Sequence, residues 1–149
     1  MLTRNIAENG YEDIITAVNK AVSNAGEVTL NVEVGEGEEI HASAYLYQEA
    51  EHRRVLGVTL AGLLETHALD RVDLLKIDCE GGEYSILSAL PGEMFHRIEN
   101  IVFEYHQIDG YEEKLRRTLT RLRSAGYRVR QEGLLVWAAR AHFSGEQEP

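Results

Sequence analysis

VDLLKIDCEGGEYSILSAL, Val72 to Leu90, decides how the rest of the chain is read. Its first half is a short apolar run, Val72, Leu74, Leu75 and Ile77, with Lys76 and Asp78 set into it. A run of this length reads as a strand buried on both faces. It ends in Asp78-Cys79-Glu80-Gly81-Gly82, a glycine-rich acidic turn. Tyr84, Ile86, Leu87 and Leu90 then recur at helical spacing, and Pro91-Gly92 stops the helix. Strand, turn and helix make half of a βαβ unit. In open α/β sheets ligands sit beyond the carboxyl ends of the strands. Asp78 and Glu80 fall at that end.

Downstream, Met94, Phe95 and Ile98 predict a short helical turn on the sheet. NIVFEYHQ, Asn100 to Gln107, predicts the next strand. Alternation puts Ile101, Phe103 and Tyr105 on one side, and Val102, Glu104 and His106 on the other. After Asp109-Gly110, Leu115, Leu119 and Leu122 form the apolar stripe of a helix. Its other face carries Lys114, Arg116, Arg117, Arg121 and Arg123, which reads as a solvated face rather than an anion site. Ala125-Gly126 ends that helix. Tyr127 to Arg130 and Leu134 to Ala139, separated by Gly133, predict an antiparallel final strand pair. The polar tail from Ser144 is expected to fray.

Upstream, Leu2 and Ile6 followed by Asn9-Gly10 read as the last turns of a helix. Asp13 to Ser23 is expected to form a strand. Val28, Leu30, Val32 and Val34 alternate with polar residues, as do Ile40, Ala42, Ala44 and Leu46. With Gly35 to Glu38 between them, they predict an inserted β-hairpin. Its acids, Glu33, Glu36, Glu38, Glu39, Glu49 and Glu51, read as a solvated hairpin and loop rather than a substrate-selecting lip. Val55 to Val58 predicts a short strand, and Thr59 caps a helix from Leu60 to His67.

The 149 residues are expected to form a single domain, residues 1–149, with a sizeable core. A hydrophobic content of 44% and a charged content of 27% mark a globular chain. The net charge of −10 argues against a nucleic acid or a membrane surface as partner. No signal-peptide pattern opens the sequence, and Cys79 has no internal disulfide partner, so a cytoplasmic location is expected.

LLKIDCEGGEYSIL resembles the KIDVEGAE motif of the FkbM-type methyltransferases that use S-adenosylmethionine. VTLAGLLETHALDRVD resembles that family's approach to the motif, and NIVFEYHQ resembles the strand that follows it. The resemblance runs from Asn5 to about Trp137. Cys79 and Gly82 stand where the family often has Val and Ala, and Ala61 where an acid is usual. The resemblance implies an α/β fold with a Rossmann-like class I methyltransferase sheet. It implies S-adenosylmethionine as methyl donor, and a hydroxyl on a sugar, glycan or secondary metabolite as acceptor. It also implies that Asp78 and Glu80 lie in the active-site mouth as cofactor-binding residues. No G-x-G-x-x-G and no D-x-G-x-x-x-G occurs in the sequence. The chain therefore reads as a C-terminal part, incomplete at the N-terminus by roughly two βα units. Alone, it is expected to bind the cofactor poorly and to self-associate through unpaired sheet edges.

Asp78, Glu104 and His106 converge if the two apolar strands are adjacent and parallel. Methyl transfer to an alcohol needs the hydroxyl held in line with the electrophilic methyl and its proton removed. His106 is the natural base near neutral pH. Glu104 could orient it, or Asp78 could take the proton itself. The same trio could bind a divalent metal, but no compact metal-ligand spacing occurs, and no metal is assigned. Glu83 reads as an acid on the positive end of the helix dipole. Cys79, flanked by acids in an apolar run, is a poor nucleophile. The rival reading, from a different class, is a non-catalytic α/β interaction module that has lost the cofactor site.

Overall fold

Ile77, Ile101, Phe103, Val136 and Ala138 meet on one face of a sheet, and the fold is built on that face. The computed structural model describes residues 2–34, 40–46 and 51–140. Eight strands occur among them: β1 Ala21–Val22, β2 Glu27–Val34, β3 Ile40–Ser43, β4 Glu51–Val58, β5 Val72–Ile77, β6 Ile98–Glu104, β7 Tyr127–Glu132 and β8 Leu135–Arg140. The helices are α1 Leu2–Glu8, α2 Leu60–Thr66, α3 Glu83–Ala89 and α4 Tyr111–Ser124, with a 3-10 turn at Gly92–Arg97. The strands form two four-stranded sheets, β1-β4-β2-β3 and β5-β6-β8-β7, in a mixed α/β chain.

In the second sheet β5 and β6 are parallel, and β8 runs antiparallel to both β6 and β7. The register sets Leu75 against Ile101, and Ile101 against Ala138. All three belong to the core or pack on it. Leu87 and Leu90 after the turn, and Leu115 and Leu122 on α4, close over that face. The hydroxyl of Tyr127 reaches both the Phe95 and Ile98 carbonyls, at 2.9 and 2.6 Å. This ties the start of β7 to the 3-10 turn. Among the described residues no element covers the opposite face. Leu74 is 58% exposed and Trp137 42%, with Val102 beside them. Among the described residues β5 pairs only with β6, so it is an edge.

The first sheet follows a different logic. β2 pairs antiparallel with β3 and β4, and β1 pairs parallel with β4. Thr59 caps α2 as expected, accepting the Gly62 N–H at 2.9 Å. The expected strand from Asp13 to Ser23 shrinks to Ala21–Val22. Ile14, Ile15 and Val18 are exposed, and Tyr11 to Ile15 form a turn. The physical reason is that only Ala21 and Val22 meet a partner strand, at Gly57 and Val58. Without a ladder or a covered face, apolar residues alone do not hold a strand. The strands are also divided between two sheets, where one was expected. The hairpin turn at Gly35 to Glu38 and the tail from Ser144 lie outside the described residues.

Candidate functional site

The chain leaves β5 at Ile77 and turns through Asp78 to Gly82. Glu80 has φ +47° and Gly81 φ +103°. Gly81 is required twice over. Its φ suits only glycine, and a Cβ there would stand 2.8 Å from Ile108 Cγ2 and 3.1 Å from Tyr45 Cβ. The first sheet is tied to this turn by Ser43, whose buried hydroxyl donates to the Glu80 carbonyl at 2.6 Å. The same oxygen accepts the N–H groups of Tyr45 and Leu46.

Glu83 is 0% exposed, at the first position of α3. A buried carboxylate persists only where donors replace water. Here Oε2 accepts the Gly81 N–H at 3.0 Å, and Oε1 accepts the His106 N–H at 2.7 Å. His106 Nδ1 lies 3.3 Å from the same Oε1. On the other side of the ring, Nε2 lies 3.4 Å from Glu80 Oε2. Tyr84, next to Glu83, donates its hydroxyl to the His106 carbonyl at 2.8 Å. Burial pushes the Tyr84 phenol up, and the Glu83 charge adds to that, so it stays a donor at physiological pH. The imidazole is thus held between a buried carboxylate on Nδ1 and a half-buried one on Nε2.

The sequence trio is arranged otherwise. Asp78 is exposed at the end of β5 and pairs with Lys76 at 3.0 Å. Glu104 is half-buried on β6, in register with Leu135 of β8. Among the described residues no hydrogen bond or ion pair joins either of them to His106. Two-residue alternation does not carry from Glu104 to His106, because β6 ends at Glu104. The Ile108 N–H then folds back to the His106 carbonyl at 2.9 Å. His106 meets Glu83, at the head of α3, rather than Glu104. Glu80, expected in the mouth, does meet His106. Sequence reading missed Glu83 as a site residue. Its signal was an acid between Gly82 and Tyr84, at the head of a strongly apolar helix, where a carboxylate must find buried donors.

Cys79 is half-buried, and its thiol is pushed up by burial first and by the Glu83 and Asp78 carboxylates besides. It stays a thiol near neutral pH. Among the described residues no group of three or more His, Cys, Asp or Glu side chains is placed to hold a metal ion. No helix among them is long and apolar enough to cross a membrane.

The family model described as the methyltransferase FkbM domain matches residues 2–129. The chain belongs to the FkbM methyltransferase family. No curated protein and no solved structure matches it. The FkbM match spans both sheets up to β7, so the turn, Glu83 and His106 all lie within it.

Proposed function

We propose that the site is that of an S-adenosylmethionine-dependent O-methyltransferase, acting on a hydroxyl of a sugar or secondary metabolite. The observation that carries this reading is the imidazole of His106, fixed by Glu83 beside the family's acidic glycine turn. The sheet order β5-β6-β8-β7, parallel first and antiparallel last, supports a Rossmann-like class I methyltransferase half-sheet.

The side chains present suit the cationic end of the cofactor. Asp78 and Glu80 are carboxylates at the carboxyl end of β5, and both complement an ammonium or a sulfonium. A cleft of about 320 Å³ between the two sheets is lined by Asp78, Cys79, Ser43 and Tyr45 among others. Asp78 and Glu80 would hold that end. When bound, S-adenosylmethionine supplies an electrophilic methyl group.

The chain's own residues then do the proton work. With Glu83 Oε1 accepting Nδ1–H, Nε2 is the nitrogen left to exchange a proton, and it offers its lone pair once the acceptor hydroxyl stands between it and Glu80. Nε2 would take the acceptor hydroxyl's proton as the new C–O bond forms and the methyl–sulfur bond breaks, its electron pair leaving with sulfur as a neutral thioether, and would release that proton to solvent afterwards. Glu80, next to Nε2, steadies the imidazolium that results. Glu83 is a positioning residue. Its two backbone donors lock it in place, and it in turn locks the ring.

The test uses methyl transfer from S-adenosylmethionine to a panel of hydroxyl acceptors. His106→Ala should cut turnover by roughly 10²–10⁴-fold with cofactor affinity nearly unchanged. Asp78→Asn should weaken cofactor binding as well. If His106→Ala keeps near-normal turnover while Asp78→Asn abolishes it, Asp78 is the base. A second reading, a non-catalytic interaction module, is favoured by the open sheet face at Leu74 and Trp137. It predicts no methyl transfer to any acceptor in the panel.

A further inference from the structure

A groove between α3 and α4 plays no part in the mechanism above. It encloses about 480 Å³ and opens beside Gly81, Tyr84 and Ile108. The first two also belong to the His106 cluster. Its far wall is the basic side of α4, with Lys114, Arg117 and Arg121. In a chain of net charge −10, this is a local reversal of sign. Among the described residues only Arg117 of the three has a carboxylate partner, Glu113 at 2.6 Å, and it shares that partner with Arg116. Lys114 donates to the Asp109 carbonyl at 2.6 Å, and Arg121 to the Leu90 carbonyl at 2.5 Å. Carbonyls orient these cations without neutralising them.

The hydroxyls of the groove add a second requirement. Ser85 donates to the Gly82 carbonyl, Ser88 to the Ser85 carbonyl and Thr118 to the Lys114 carbonyl. Their protons are committed, and Ser85 Oγ also accepts the Tyr45 hydroxyl at 3.1 Å, so toward a ligand Ser88 and Thr118 present lone pairs and Ser85 its remaining one. A fitting ligand brings O–H donors for those lone pairs and negative charge for the cations. Tyr45 and Tyr84 supply ring surface for its C–H face.

We propose that this groove binds the methyl acceptor, and that the acceptor is an anionic sugar: a small ring carrying hydroxyls and a phosphate or carboxylate. The role as acceptor rests on the methyltransferase reading; the binding chemistry stands without it. The solvated face expected of α4 is therefore a recognition face along Lys114, Arg117 and Arg121.

The experiment is an NMR titration of the isotopically labelled chain, following the amides of Gly81, Ser85, Ser88 and Thr118. The probes are glucose 6-phosphate, glucuronate, glucose and inorganic phosphate. At least one anionic sugar should give saturable shifts, with affinity about tenfold or more above both glucose and inorganic phosphate. The Lys114→Gln/Arg117→Gln double variant should lose that advantage and keep its thermal melt. If it does not fold, Lys114→Gln alone replaces it, and the probe comparison on the unaltered chain stands regardless. Three results overturn the proposal: no saturable shift with either anionic sugar, glucose or inorganic phosphate binding equally well, or unchanged affinity in the variant. No cofactor is present, so failure here leaves methyl transfer standing. Absence of methyl transfer with the titration intact overturns the enzyme reading and with it the role as acceptor, and leaves the anionic-sugar site standing.

Discussion

The two sheets are held by different forces. In β5-β6-β8-β7 the inward positions are apolar and sealed: Ile98, Ile101, Phe103 and Val136 are fully buried. In β1-β4-β2-β3 the first four residues of β4 are all exposed, and Leu56 is 64% exposed. The buried side chains described in that sheet are polar, Asn31 and Ser43. Asn31 donates to the Leu46 carbonyl at 2.7 Å and its side-chain oxygen meets His52 Nδ1 at 2.9 Å. One sheet takes its register from apolar burial, the other from ladders and a few side-chain bonds. The site sits on the first kind and is touched by the second only at its rim.

The sharpest way to break the comparison is truncation on each side. Phe103→Ala should cost about 3–5 kcal/mol in chemical denaturation. Leu56→Ala on β4 should stay within about 0.5 kcal/mol. Comparable losses would mean that the first sheet has a core of its own. Next comes the buried carboxylate. Glu83→Ala strands the Gly81 and His106 N–H groups and should cost about 2–5 kcal/mol. Glu83→Gln, which keeps one acceptor oxygen, should cost less. Equal losses would show that charge, not hydrogen bonding, fixes the ring.

Ser43→Ala tests the connection between the sheets. It removes the bond to the Glu80 carbonyl, and the loss should be about 1–2 kcal/mol. Hydrogen exchange should place that loss in β2 to β4, with β5 to β8 still protected. A uniform loss would make the chain one cooperative unit. The smallest effect concerns Tyr127. Burial pushes its phenol up to about 12. A raised pKa means that the folded state keeps the neutral form, so this contribution is intact below the ordinary tyrosine value, near pH 10. It is lost as pH rises through the folded value. Tyr127→Phe should cost about 1 kcal/mol at neutral pH. Its melting temperature should fall less steeply than that of the unaltered chain between pH 10 and 12.

Much of the second sheet was legible in the sequence as strands and their order, although β5, expected to be buried on both faces, is covered on one only, with Leu74 58% exposed on the other. Val72 to Ile77, the alternation through Phe103, and the last strand pair around Gly133 all appear where periodicity puts them. The Asp13 to Ser23 segment was not legible, since a strand needs a partner and apolar content does not reveal one. The candidate site was read in part. His106 and Glu80, both candidates from the sequence, lie together. The expected neighbours of His106, Asp78 and Glu104, were inferred from strand alternation, which stops where the ladder stops. Glu83 looked like an ordinary first-turn acid. Its burial depends on Gly81 and on a chain segment 23 residues away, at His106, and no local pattern records that contact.

Trp137 is the single tryptophan of the chain, and it stands half-open on the uncovered face of the second sheet. The molecule therefore carries its own optical probe on a surface whose occupancy is in question. A second copy seated against Leu74 and Trp137 would shift the indole emission to the blue and shield it from acrylamide. Loosening of the first sheet would leave both signals unchanged. A dilution series read by emission alone thus separates association from partial unfolding, with no label attached.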